Sequence, residues 1–149
     1  MIDLSNLAGM TVVYAYPMTG RLGIALPDGW DMLPGARGCT PQSCSFRDHH
    51  AELKALGADH LFGLSTQTTH YQQAAAERLH LPFALLSDCD FKFTDAMRLP
   101  TFETSGMRLL KRLTMIIVDG RIKHIFYPVF PPDRSATDVA NWLRARPAA

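Results

Sequence analysis

Two patterns of apolar residues alternate along this chain, one typical of buried strands and the other of helices. Short runs rich in β-branched and aromatic residues predict strands. They span residues 11–16, 60–65, 83–86, 113–118 and 121–127. The first run stops at Pro17, and the last two flank Asp119-Gly120, a strong hairpin signal. The sequence therefore predicts five strands, of which the last two form a hairpin.

Start and stop signals predict helices between these strands. Thr40-Pro41 is a good start, because threonine caps free amides and proline fits the first turn, and Gly57 is a good stop. Ser135, followed three residues later by Asp138, marks the start of the last helix. Two further helices are predicted over residues 71–79 and 91–97.

The stretch from Met18 to Gly38 is rich in glycine and has no helical period, which predicts a long loop of the kind that is often functional. The resulting order is βαβαβ, a short helix, a β-hairpin and a final helix. Alternating strands and helices imply parallel strands, and the hairpin adds an antiparallel edge. This is the element order of the thioredoxin fold. We expect an α/β, thioredoxin-like fold, with a central mixed sheet flanked by helices, in a single domain over residues 1–149.

Composition and charge agree with one compact core and argue against several classes of partner. Of the 149 residues, 47% are hydrophobic and 19% are charged, and the formal net charge is +1. This balance provides no large field of one sign that would attract nucleic acid or a membrane. No apolar run approaches the roughly 20 residues that span a bilayer, and the first residues lack the order of a secretory leader. The expected compartment is the cytoplasm.

The three cysteines are Cys39, Cys44 and Cys89. An odd number in a reducing compartment makes a permanent disulfide framework improbable. Reactivity, metal binding and inert burial remain as interpretations. Cys89, between two aspartates after the third strand, is interpreted as a bystander thiol rather than an alternative reaction partner.

Cys39 lies at a predicted helix start, where free amides and the positive end of the helix dipole stabilise a thiolate. We therefore expect a lowered pKa for Cys39, with Arg37 adding to the effect. Cys44 follows five residues later, which in an ideal helix separates the two Cα atoms by about 8 to 9 Å. A disulfide tolerates only about 4.4 to 6.8 Å, so bridging the pair requires the helix start to unwind.

Two alternative interpretations of the cysteines compete with a reactive pair. A metal site built from the two cysteines with His49 and His50 is disfavoured, because structural zinc sites usually take a second paired cluster. Both histidines are expected on a solvated face. Cys44 is alternatively a core residue that faces the sheet.

A further pattern is formed by segments spread from about residue 3 to residue 143. They are Tyr14-Ala15-Tyr16-Pro17, Gly38-Cys39-Thr40 with Cys44, Phe46-Arg47-Asp48 with Leu53, and the stretches 63–67, 83–88 and 112–122. In this order they resemble the peroxiredoxins, in particular the bacterioferritin-comigratory or Q-type subfamily.

This resemblance implies a role for each matching residue. Cys39 is implied to be the peroxidatic cysteine and Cys44 the resolving one, joined as a disulfide after a sulfenic acid forms. Arg112 is implied to direct its guanidinium at the thiolate and the peroxide, and Pro17 to shield the pocket. The alternative for Arg112 is an ordinary position on an edge strand.

The resemblance also assigns substrate binding to Gly38, Thr40 and Thr19. The family usually has a hydroxyl residue three positions before the first cysteine, whereas this chain has Ala36. Either Thr19 replaces that hydroxyl through the long loop, or backbone amides serve alone. Gln42 stands where relatives often carry glutamate, which should loosen any acidic bond to Arg112.

The implied partners are a hydroperoxide and a thioredoxin or glutaredoxin as reductant, with no cofactor, no metal and no nucleic acid or membrane. The protein is expected to be a monomer or a homodimer. Two other functions compete with a peroxidase. A dithiol-disulfide oxidoreductase would usually have two residues between its cysteines, and a redox sensor would keep the fold with weakened catalysis.

Overall fold

The computed structural model describes residues 4–17, 39–104, 106–127, 129 and 134–145. After a short 3-10 turn at Leu4–Asn6, these ranges contain seven strands and five α-helices. The strands are β1 (Met10–Ala15), β2 (His60–Ser65), β3 (Leu85–Ser87), β4 (Thr101–Thr104), β5 (Met107–Leu110), β6 (Leu113–Val118) and β7 (Arg121–Phe126). The helices are α1 (Cys39–Asp48), α2 (His50–Ala55), α3 (Thr69–Arg78), α4 (Lys92–Ala96) and α5 (Ser135–Ala145).

Five strands form the central sheet in the order β3-β2-β1-β6-β7. Strand β1 pairs in parallel with β2, and β2 pairs in parallel with β3. Strand β6 runs antiparallel to both β1 and β7. Tyr14 in the middle strand is level with Gly63 on one side and Thr114 on the other. The predicted α/β, thioredoxin-like fold with a mixed sheet is confirmed.

The predicted elements are all present, with shifted boundaries. The third strand begins at Leu85 instead of residue 83. Helix α3 begins at Thr69, because the Thr68 side chain caps it by accepting from the Tyr71 amide at 3.4 Å. The long helix that was predicted after Thr40 is divided at His49, whose amide and ring Nδ1 both approach the Ser45 carbonyl oxygen, at 3.1 and 2.8 Å.

A second, two-stranded sheet formed by β4 and β5 was not predicted. Phe102 lies on β4 and Met107 on β5. Gly106 makes the turn between these strands with φ at +75°, a conformation that glycine adopts without strain. Lys111 and Arg112 connect the end of this hairpin to the start of β6.

Every residue of β1 is buried, and its side chains contribute to two apolar clusters. Tyr14 and Tyr16 pack on one face of the sheet with Phe46 of α1 and with α5 residues. Val13 and Ala15 pack on the other face with residues such as Leu110 and Met115. Such full burial on both faces is typical of a central strand. Among the described residues, no helix has both the length and the apolar content needed to cross a membrane.

Candidate active site

The predicted site residues fall at three places in the structure. Cys39 and Thr40 open α1, and Cys44 lies in the same helix. Arg112 lies in the connection between β5 and β6, and Pro17 is buried just after β1. Gly38 and Thr19 lie outside the described residues, as does the predicted loop with Ala36.

The first of these places is the N-terminus of α1. The helix runs without interruption over Cys39–Asp48, so its first free amides belong to the turn that starts at Cys39. These amides and the helix dipole favour negative charge there. The prediction that Cys39 occupies a helix start is confirmed.

Cys44 is a half-buried free thiol, which does not agree with a fully enclosed core residue. Because α1 is continuous from Cys39 to beyond Cys44, the two Cα atoms are separated by the helical spacing of about 8 to 9 Å. This spacing exceeds the range of a disulfide. The described conformation therefore keeps the two residues apart, and joining them requires α1 to unwind.

Arg112 reaches α1 through a buried contact with Gln42. The Nη1 atom of Arg112 donates to Gln42 Oε1 at 2.6 Å, and the two side chains are 3% and 0% exposed. We expected the glutamine to loosen this contact, yet the hydrogen bond is short and charge-assisted. The amide of Gln42 is neutral, so it does not neutralise the positive charge of the guanidinium as a carboxylate would. The edge-strand alternative for Arg112 is wrong, since β6 is an inner strand of the sheet.

Arg47 lies one helical turn after Cys44. Its Nε donates to Asp48 at 3.0 Å, and its Nη1 donates to the carbonyl oxygen of Leu79 at the end of α3, at 2.9 Å. The hydrogen bond with Asp48 raises the pKa of Arg47, and electrostatic attraction to Cys44 raises it further. Arg47 thus ties the second half of α1 to α3 and places a positive charge near the Cys44 thiol.

Sequence reasoning missed the polar side chains that α1 buries. Ser43 accepts a hydrogen bond from the Tyr14 hydroxyl at 2.9 Å, and Gln42 Nε2 donates to Ser135 Oγ at 3.3 Å. Ser135 is in turn hydrogen-bonded to Thr114 at 3.0 Å. A threonine inside the apolar β6 run and polar residues beside Cys44 were the available signals for this network.

The two histidines differ from the prediction that both lie on a solvated face, because both are half-buried. His49 contacts the Ser45 carbonyl oxygen, and the His50 ring lies 6.0 Å from that of Phe83. Burial lowers the pKa of His50, and the nearby Lys54 lowers it further. Among the described side chains, no group of three or more His, Cys, Asp or Glu is arranged to hold a metal ion.

Cys89 is exposed in the connection that follows β3. Its neighbour Asp88 is buried and caps α4 by accepting from the amides of Phe93 and Thr94, at 3.1 and 2.7 Å. The local backbone is therefore organised by Asp88, and Cys89 is exposed in the turn that follows it.

Comparison with known proteins identifies the family. The Redoxin family profile matches residues 2–143. Peroxiredoxin Bcp of Escherichia coli (strain K12) is 32% identical over 148 residues, which cover 96% of this chain and 84% of that protein. The chain belongs to the peroxiredoxins. Its resemblance to the bacterioferritin-comigratory and Q-type members is thereby confirmed.

Other peroxiredoxins agree with this assignment. The chloroplastic Peroxiredoxin Q of Sedum lineare is 27% identical over 145 residues, covering 97% of this chain and 69% of that protein. The crystal structure of Peroxidoxin BcpB from Mycobacterium tuberculosis superposes with a TM-score of 0.73 at 25% identity, covering 97% of this chain and 84% of that one. Membership of the family supports a thiol-dependent peroxidase as the class of activity of this peroxiredoxin.

Proposed function

We propose that this peroxiredoxin reduces hydrogen peroxide and organic hydroperoxides by an atypical 2-Cys mechanism, with Cys39 as the peroxidatic cysteine and Cys44 as the resolving one. One observation carries the proposal. The buried guanidinium of Arg112 is bound to Gln42, which lies three residues after Cys39 on the same helix. Residues three apart are neighbours on a helix surface. The Arg112 guanidinium is therefore held near the helix start that carries Cys39.

In the first step, the Cys39 thiolate attacks one oxygen of the hydroperoxide. An S–O bond forms as the O–O bond breaks, and the sulfur is oxidised by two electrons to a sulfenic acid. The other oxygen leaves as hydroxide or alkoxide and takes up from solvent the proton that Cys39 lost on ionisation, giving water or alcohol. Arg112 and the amides of α1 stabilise the negative charge as it moves from sulfur to the leaving oxygen. Pro17 limits the access of water, and Gly38, Thr40 and Thr19 contact the substrate.

In the second step, the Cys44 thiol attacks the sulfur of the sulfenic acid. The S–S bond forms and the oxygen leaves as water. This step requires the first turns of α1 to unwind, because the helical spacing is too long for a disulfide. A thioredoxin or glutaredoxin then supplies two electrons as a dithiol and restores both thiols.

The same proposal covers the organisation and surroundings of the protein. We place the reaction in a single thioredoxin-like domain spanning residues 1–149, acting as a monomer or homodimer without a cofactor. The need for a dithiol reductant fits a reducing compartment such as the cytoplasm.

Mass spectrometry of the peroxide-treated protein tests this assignment. Wild type and Cys89→Ser should both yield a peptide pair joined through Cys39 and Cys44. The Cys44→Ser variant should instead stop at a sulfenic or further oxidised Cys39. A bridge that involves Cys89, or a Cys39 that peroxide leaves unmodified, would overturn the proposed mechanism.

A further inference from the structure

Four buried side chains form a continuous hydrogen-bonded chain behind the candidate site. Arg112 donates to Gln42 Oε1 at 2.6 Å, and Gln42 Nε2 donates to Ser135 Oγ at 3.3 Å. Ser135 Oγ lies 3.0 Å from Thr114 Oγ1. All four side chains are at most 3% exposed. The chain therefore links the loop before β6, helix α1, the start of α5 and strand β6 out of contact with solvent.

The chain has a direction, because an amide group has one accepting end and one donating end. The guanidinium only donates, so it fixes the carbonyl end of Gln42 toward itself. The amide nitrogen then faces Ser135, whose hydroxyl oxygen accepts from it. Without that oxygen, the buried NH2 group would lose a partner, and the amide would gain freedom to rotate away from Arg112.

Ser135 occupies an unusual place for such a contact. It is the first residue of α5, one position after the residue whose side chain would cap that helix. Its hydroxyl contacts side chains on two other elements, α1 and β6. The position of α5 is thus linked to the amide that holds Arg112.

We propose that Ser135 is a positioning residue that acts through Gln42 to hold the Arg112 guanidinium in the orientation that stabilises the Cys39 thiolate. This inference rests on the proposed function of Cys39 and Arg112, and it adds residues from α5 and β6 to the reaction. Ser135 does not touch the reacting atoms. Its effect reaches them through two hydrogen bonds.

Two readouts test this proposal in a Cys44→Ser, Cys89→Ser background, in which Cys39 is the remaining thiol. The pH dependence of Cys39 alkylation gives the thiol pKa, and stopped-flow mixing with peroxide gives the rate of oxidation. Ser135→Ala should raise that pKa and slow oxidation about fivefold, the effect of losing about one buried hydrogen bond. Ser135→Thr keeps the hydroxyl and should recover the parent values.

Two further variants distinguish a positioning role of Ser135 from an effect on the stability of the fold alone. Thr114→Val removes the far end of the chain and should shift both readouts in the same direction by a smaller amount. Thr137→Ala removes a half-buried hydroxyl from the same turn of α5 and should leave both unchanged. Ser135→Ala and Thr114→Val variants that unfold more easily in urea but keep the parent pKa and rate would overturn the proposal.

The failure of the proposed function would look different. In that case the parent Cys39 would not react with peroxide at all, whereas alkylation would still report its pKa. An unchanged alkylation profile in Ser135→Ala, in a parent protein that does react with peroxide, contradicts only the role of Ser135.

Discussion

The hydroxyl of Tyr14 donates to Ser43 Oγ at 2.9 Å, which joins the centre of the sheet to the helix that carries both proposed catalytic cysteines. The ring of the same tyrosine stacks on Phe46 at 4.5 Å between centroids, with an interplanar angle of 5°. Ser43 precedes Cys44, and Phe46 follows it. Unwinding from Cys39 to Cys44 would break the hydrogen bond between Tyr14 and Ser43 and would leave the stack of Tyr14 on Phe46 in place. In the proposed mechanism, Tyr14 would therefore lose its contact with the start of α1 and keep its contact with the end.

Replacing Tyr14 by phenylalanine should change the stability of the two redox states unequally. The variant keeps the stack on Phe46 and loses the buried hydrogen bond, which should lower the unfolding free energy of the reduced protein by about 1 to 2 kcal/mol. The oxidised protein should lose less, because its helix start is already unwound. Urea unfolding of both states measures the difference.

The exposed Tyr127 offers a matched control, since Tyr127→Phe should leave both unfolding free energies nearly unchanged. An equal loss for Tyr14→Phe in the two states would show that Ser43 keeps its place on oxidation. The proposed unwinding would then have to be abandoned or confined to residues before Ser43.

Replacing Arg112 by methionine should remove most of the peroxidase activity. Loss of a donor that faces developing negative charge typically costs about 100-fold or more in rate, and Arg112 also donates to Gln42. Arg112→Lys keeps a charge without the planar fork and should retain an intermediate rate. Stopped-flow oxidation of Cys39, with circular dichroism as a check of folding, gives the comparison.

Arg108→Met is the corresponding control, because Arg108 forms a partly exposed ion pair with Asp95 at 2.8 Å. This variant should react with peroxide at the wild-type rate. An Arg112→Met protein that is folded and fully active would exclude the guanidinium from the reaction.

Stability should fall as the pH falls from neutral, with His50 as one cause. Burial and Lys54 lower the pKa of His50 in the folded state, so the unfolded chain binds a proton first. The contribution is fully present above the ordinary histidine pKa of about 6.5 and is lost as the pH falls through the lower folded value. Urea unfolding at several pH values should show a shallower dependence in His50→Gln.

Lys54→Met tests the second cause alone. It removes the like charge but keeps the burial of His50, so it should reduce the pH dependence by less than His50→Gln does. An identical pH profile in wild type and His50→Gln would remove this histidine from the acid sensitivity of the protein.

Local signals were sufficient for much of the fold. Asp119-Gly120 predicted the hairpin of β6 and β7, and Ser135 marks the first residue of α5. Hairpin turns and helix starts depend on residues close together in sequence, so these features could be derived from the chain alone. The helix start at Cys39 followed from the same kind of argument.

The rest depended on contacts between distant residues. The hairpin of β4 and β5 has four-residue strands that carry charged residues, and such short segments have no clear period. Arg112 and Gln42 are 70 residues apart, and only the family resemblance connected them. The contact of Ser135 with Gln42 was not predicted, since a serine at a helix start is already explained by capping.

The two-sided packing of β1 also bears on how the protein would recover from the unwinding that we propose. Phe46 of α1 packs in the cluster on one face of the sheet, and the cluster around Val13 and Ala15 on the opposite face contains none of the α1 side chains that the structure describes. One side of the molecule can therefore keep its native shape while a few helical turns rearrange on the other. Reforming α1 is then a short local search against an intact surface, which is far less demanding than folding the whole chain again.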